Sequence, residues 1–201
     1  AGETSGMEYP TFFTGSTGDV VNDTWPRTGL RMDREAVIHE FVHQYFYGVV
    51  ASDEQEEALL DEGFTQYWEE EIARCAFGEA ASLGRFLGRD LRMDDAGGAA
   101  VEQATPRIVE PMRRIPTTLA AGNVWGEQVY FRPAQAFDTA ARLHGADALD
   151  RVMAAYYRRF AFRHPGIEDF LGVAAEAGGP DIAAFLREAI ERERVPDYLV
   201  A

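Results

Sequence analysis

Apolar positions recur at helical spacing along most of this chain, and their phase divides it into successive elements. Residues 1–30 lack that period: Gly, Thr and Pro surround short apolar pieces such as Tyr9 to Phe13. This predicts loops, one edge strand at most, and a turn at Trp25-Pro26. From about Asp33, as N-cap, Val37, Ile38, Phe41, Val42, Tyr45, Phe46 and Val49 make a helix apolar nearly all round, which predicts burial. Ser52-Asp53-Glu54-Gln55 has the S-x-x-Q capping-box pattern and predicts a second helix to about Phe77, through Ala58, Leu59, Phe64, Tyr67, Trp68, Ile72 and Cys75. Leu83, Phe86, Leu87 and Leu91 predict a short amphipathic helix over 79–93. Residues 94–116 have no period and read as a long loop, of the kind that lines substrate clefts.

Apolar spacing resumes near Val124. Pro133 suits a first helical turn, so Tyr130 is expected just before a helix over about 133–144, ended by Gly145. Helices over about 147–162, 167–177 and 181–193 follow, with Phe160, Phe162, Phe170 and Phe185 expected in the core. His144 and His164 fall at helix ends and are expected to cap or face solvent. There is no internal repeat. The pattern predicts one mainly α domain, with a small irregular or β-containing N-terminal piece and α+β as the alternative class.

Polar residues interrupt the most apolar helix at His39, Glu40 and His43. Residues four apart on a helix differ by about 40° around its axis, so both imidazoles project from one side. This is the H-E-x-x-H arrangement, two zinc ligands with a carboxylate between them to accept a proton from water. Two hydrogen-bonded core histidines are the alternative, since buried polar groups need partners. Catalytic zinc needs a third protein ligand, and Glu62, in Leu60-Asp61-Glu62-Gly63-Phe64, is placed to supply it from mid-helix. Gly63 opposes helix propensity there, which suggests close approach by another segment, the histidine helix being the candidate. Glu69 returns to the face of Glu62 and could accept the second N–H of a ligating imidazole; a solvated acid is the equal alternative.

Composition narrows the partners more than the chemistry. A formal charge of −15 on 201 residues argues against nucleic acid or an anionic membrane. Cys75 is the one cysteine, so no internal disulfide forms. No apolar run approaches the roughly 18 residues of a membrane span. The chain opens at Ala1 inside an apparent motif, so it is expected to be a domain excised from a longer protein, cytoplasmic or exported.

With these residues placed, the chain resembles the catalytic domain of M1-family metallopeptidases, the gluzincins of aminopeptidase N and leukotriene A4 hydrolase type. His39-Glu40-Phe41-Val42-His43-Gln44-Tyr45-Phe46 is similar to the family's zinc helix, and Glu62 follows His43 after 18 intervening residues, in an Asp-Glu-Gly context like its Asn-Glu-Gly. Gly6-Met7-Glu8 resembles the start of its Gly-x-Met-Glu-Asn exopeptidase motif, and Tyr130-Phe131-Arg132-Pro133-Ala134 its Tyr-x-Lys-Gly-Ala. Tyr9, Val49 and Arg132-Pro133 depart from those patterns. The resemblance implies a thermolysin-like fold and one zinc per chain on His39, His43 and Glu62. It implies an aminopeptidase acting on peptides, with Glu40 as base and Tyr130 as oxyanion donor. Glu8, with Gly6 and Met7, would recognise the substrate amine. It also implies a β-domain N-terminal to this segment in the parent chain. An endopeptidase or epoxide-processing gluzincin, or a non-catalytic zinc-stabilised binding domain, is the alternative.

Overall fold

The structure is a computed structural model and describes residues 6–15, 32–78, 84–86, 89–91, 111–113 and 126–192. The expected turn at Trp25-Pro26 and most of the expected 94–116 loop lie outside the described residues. At the centre, Phe64 has no exposed surface. Its ring meets Phe46, Phe137, Tyr156 and Phe170 at centroid separations of 5.2, 5.1, 5.6 and 4.9 Å. Edge-to-face and tilted contacts of this kind add to simple area burial. The helices follow from what each contributes to that cluster. They are α1 (Met32–His43), α2 (Glu62–Phe77), α3 (Arg132–His144), α4 (Ala146–Phe160), α5 (Ile167–Val173) and α6 (Pro180–Glu191). Strands β1 (Gly6–Met7) and β2 (Thr14–Gly15) pair antiparallel, Gly6 opposite Gly15 and Met7 opposite Thr14, and pack on α1. The class is therefore mainly α with a small N-terminal β piece. Among the described residues no helix is long and apolar enough to cross a membrane.

Several expected boundaries move. Helix α1 stops at His43 rather than near Val49, because the chain reverses there: Gly48 N–H donates to His43 O at 2.8 Å and Tyr47 takes φ 127°. Nor is α1 buried all round, since Val37 and Phe41 are 48 and 45% exposed while its other face carries the polar residues. No helix starts at Ser52. Asp53 Oδ1 instead accepts the N–H groups of Gln55 and Glu56 in a local turn. A 3₁₀ turn (Ala58–Leu60) follows, so α2 begins at Glu62, which is a first-turn residue and not a mid-helix one.

The expected helix over 79–93 is a hairpin, β3 (Gly84–Phe86) with β4 (Arg89–Leu91). Two glycines, Gly84 and Gly88, each cost a helix about 1 kcal/mol there. The strands pair antiparallel, Gly84 opposite Leu91, Arg85 opposite Asp90 and Phe86 opposite Arg89. Phe162, expected in the core, is 83% exposed. It takes φ 62° where the chain leaves α4, which lets its N–H reach Val49 O and sets Arg163 beside Val50.

Candidate metal centre

Helices α1 and α2 pack face to face and bring three side chains to one point. His39 Nε2 lies 3.1 Å and His43 Nε2 3.3 Å from Glu62 Oε2. The imidazoles share a side of α1 as the four-residue spacing requires, with ring centroids 4.8 Å apart and planes at 80°. Zinc binds such atoms at about 2.0–2.1 Å in a tetrahedron, whose edges are then roughly 3.3–3.4 Å. The two measured separations lie close to that edge.

Each imidazole is held from behind. His39 Nδ1 lies 2.9 Å from Oε2 of buried Glu69, and His43 Nδ1 lies 2.8 Å from Oδ1 of buried Asp61, with Thr65 Oγ1 and Phe46 O at 3.1 and 3.2 Å. A proton on His39 Nδ1 is donated to Glu69, and one on His43 Nδ1 goes to one of the oxygens around it, which leaves each Nε2 as the atom available to a metal. Asp61 was not foreseen. The available signal was an acid directly after Leu59-Leu60, where the apolar pattern calls for another core residue.

Glu40 turns to the side of this cluster where β1 runs. A Cβ on Gly6 would come within 2.5 Å of Glu40 Cδ and 2.7 Å of its Cγ, so any other residue there would displace the Glu40 carboxylate. Glu40 is buried, and its Oε2 has no hydrogen-bond partner. An orphaned buried carboxylate oxygen requires an explanation, and a water or substrate proton supplies one. Glu8, just beyond β1, has a carboxylate oxygen within 4.8 Å of ligand atoms on Glu40 and His43, and also of ones on Glu54 and Asp61. The Gln44 amide pins the loop that carries it, accepting from Thr11 N–H at 2.8 Å and donating to Tyr9 O at 3.3 Å. Met7 is placed by its pairing with Thr14.

Tyr130 reaches the cluster from another helix. Its hydroxyl donates to Glu62 Oε1 at 2.7 Å and its ring stacks on His39 at 5.7 Å and 27°. It sits just before α3, as the position of Pro133 suggested, within a π turn (Glu127–Phe131) that runs continuously into that helix. There Arg132 N–H bonds the Glu127 carbonyl, five residues back. The wider turn accommodates Pro133, which has no N–H and would clash with the carbonyl four residues before it in a regular helix. Gly63 serves this junction. A Cβ there would sit 2.6 Å from Pro133 Cβ and 3.4 Å from Val129 O, so the close approach inferred from Gly63 is to the tyrosine helix and not the histidine helix.

Charge in the cluster is unbalanced towards acid. Burial alone would lower the His39 imidazole, but hydrogen bonds with Glu62 and Glu69 outweigh it and hold His39 at about 9. For His43, burial is likewise outweighed, by Asp61 and Glu62, and the ring is held at about 11. Burial would raise Glu62, yet the two imidazoles hold it down to about 2. Burial pushes Glu40 up to about 7 and Asp61 to about 6, and raises Glu69. The acid around the two imidazoles is offset in part either by protons on the rings or by a bound cation. Donor types, spacing and backing acids all fit zinc.

Asp61→Asn and Glu69→Gln are each expected to weaken zinc binding about 10–100-fold, because the outer acids orient the rings. Competition with a chromogenic chelator measures this; unchanged affinity in both variants would show that the backing acids do not act on the metal.

A mainly α fold with an H-E-x-x-H helix facing a glutamate from the next helix defines the zinc-metallopeptidase class of site. The chain matches the Peptidase family M1 domain over residues 3–188 and belongs to that family. It is 29% identical to human (Homo sapiens) aminopeptidase B over 153 residues, and 28% identical to the Rattus norvegicus enzyme over the same length; each alignment covers 71% of this chain and 22% of the relative. Among solved structures, the M1 zinc metallopeptidase from Deinococcus radiodurans superposes with a TM-score of 0.62 at 21% identity, covering 81% of this chain and 34% of that one. A mutant of it bound to a Tyr-Ser-Ala substrate gives 0.63 at 20% identity, with the same coverage. The chain thus spans about a fifth of the length of the curated relatives and a third of the solved ones.

Proposed function

We propose that this domain is the catalytic part of a zinc aminopeptidase. The observation that carries this reading is the convergence of His39 Nε2, His43 Nε2 and Glu62 Oε2 beside the orphaned Glu40 carboxylate. Zinc bound by these three side chains would act as a Lewis acid and lower the pKa of a water molecule towards 7. Glu40 takes that water's proton as it attacks the peptide carbonyl, and returns it to the leaving amine. Tyr130 keeps its proton, because burial and the Glu62 charge raise its pKa, and its hydroxyl donates to the oxyanion. Glu8 pairs with the substrate's α-ammonium, a cation near neutral pH given a pKa of roughly 8. Because Glu8 and Glu40 flank the same point, a free amine held on Glu8 presents the first peptide bond to Glu40.

The metal-replete chain is expected to cleave an aminoacyl-arylamide and to spare its N-acetylated twin, with cleavage abolished by a zinc chelator and restored by zinc. Equal cleavage of both substrates would replace the aminopeptidase reading with endopeptidase action. Bound zinc without any cleavage would make the domain a non-catalytic one.

A further inference from the structure

Two residues to either side of Tyr130 in sequence, a buried glutamine and a buried arginine form a polar junction. Arg132 is 2% exposed and Gln128 has no exposed surface. Arg132 Nη1 donates to Gln128 Oε1 at 2.8 Å, closing a side-chain bridge across the π turn. Its Nη2 donates to Arg192 O at 2.8 Å, at the end of α6, and Gln128 Nε2 donates to Pro111 O at 2.9 Å. The segment at 111–113 is itself tied to α6, since Arg113 pairs with Glu191, and buried Met112 belongs to the core. The turn that carries Tyr130 is therefore fastened to two sequence-distant segments by one guanidinium and one amide.

Resting on the aminopeptidase reading, we propose that Arg132 and Gln128 are positioning residues that hold the π turn in register and so aim the Tyr130 hydroxyl. A π turn has poorer hydrogen-bond geometry than an α turn and needs outside support. It differs from a regular helix by one extra residue in the ladder. Loss of that residue would rotate a side chain on the turn by about 100° around the axis, carrying Tyr130 away from Glu62 and the His39 ring. The Arg132–Gln128 bridge spans the distorted turn, and its anchors at Pro111 and Arg192 resist that rotation. A fully buried charge is costly unless hydrogen-bonded, which is why the guanidinium spends both terminal nitrogens on acceptors at this junction.

The test is a double-mutant cycle between Gln128→Met and Tyr130→Phe, with zinc content and amide hydrogen exchange measured on every variant. With Tyr130 present, Gln128→Met is expected to lower kcat about 10-fold or more, leaving KM within about twofold and zinc at one per chain. In the Tyr130→Phe background the same change is expected to cost less than about twofold, because the group it aims is already gone. Gln128→Glu keeps the acceptor for Arg132 but loses the donor to Pro111 O, so it is expected to recover only part of the loss. Exchange of the Val129, Tyr130 and Phe131 amides should quicken about tenfold in Gln128→Met with Phe137 to Ala140 unchanged. Equal losses in both backgrounds, or an unaltered kcat, overturn the proposal. If the unmodified chain proves inactive, the aminopeptidase reading fails by itself, and unchanged exchange over 129–131 then overturns the clamp separately. Should Gln128→Met not fold, Arg132→Lys, which offers one compact donor group in place of a fork, is read by the same criteria.

Discussion

Glu40→Gln is expected to lower kcat by about 10²–10⁴-fold while zinc stays bound at one per chain. Glutamine keeps the size of the side chain and its place against Gly6, so the strand β1 need not move. It removes the only function proposed for this residue, the capacity to take a proton. Glu40 stands outside the His39, His43 and Glu62 group proposed to hold zinc, although it shares a second cluster with Glu8 and His43, so unchanged metal content is itself a test of which group binds. Burial already pushes its carboxyl up to about 7, which places proton affinity near the working pH of a general base. Steady-state kinetics with zinc analysis on the same sample decides the matter. Near-full activity would remove Glu40 from the chemistry, and loss of zinc with activity would make it a structural part of the metal centre instead.

Tyr130→Phe is expected to cost about 10²–10³-fold in kcat, with KM changed far less, as for loss of one oxyanion donor. The ring contact with His39 survives in phenylalanine, so the variant isolates the hydroxyl. In the structure that hydroxyl donates to Glu62, a metal-ligand candidate, and Phe would leave Glu62 Oε1 without that bond. A second outcome is therefore measured at once: if zinc affinity drops in step with kcat, the hydroxyl serves the ligand and not the oxyanion. A kcat effect at unchanged zinc affinity supports the donor role. Activity equal to the unmodified chain would exclude Tyr130 from both.

The order of elements was largely legible because apolar periodicity reports one-dimensional facts about a helix. The three C-terminal helices fall within one or two residues of the positions their spacing predicts at their starts, and Phe170 and Phe64 are buried as expected. The histidine pair was legible for the same reason, since four residues on one helix carry their own geometry. The errors share a cause. The end of α1, the turn in place of a helix at Ser52, and the 84–91 hairpin all depend on where backbone groups find partners outside their own segment. Val37 and Phe41 read as core because amphipathic strength measures apolarity, not which neighbour arrives to cover it.

What the sequence pointed to by itself is the candidate donor set, two imidazoles on one side of a helix and a glutamate at the family's spacing as third ligand, with a second acid, Glu40, between the imidazoles. What only the tertiary structure decided is how those donors are held. Asp61 behind His43, Glu69 behind His39, Gly6 against Glu40 and Gly63 against Pro133 are contacts between segments 18 to 70 residues apart. No periodicity encodes such contacts, because they arise when separate hydrophobic faces close on one core and carry their polar residues with them. The π turn at Tyr130 belongs to the same class. Pro133 announced an irregularity in the helix, but the way the chain absorbed it was set by Gln128 and Arg132 reaching Pro111 and Arg192 across the packed interior.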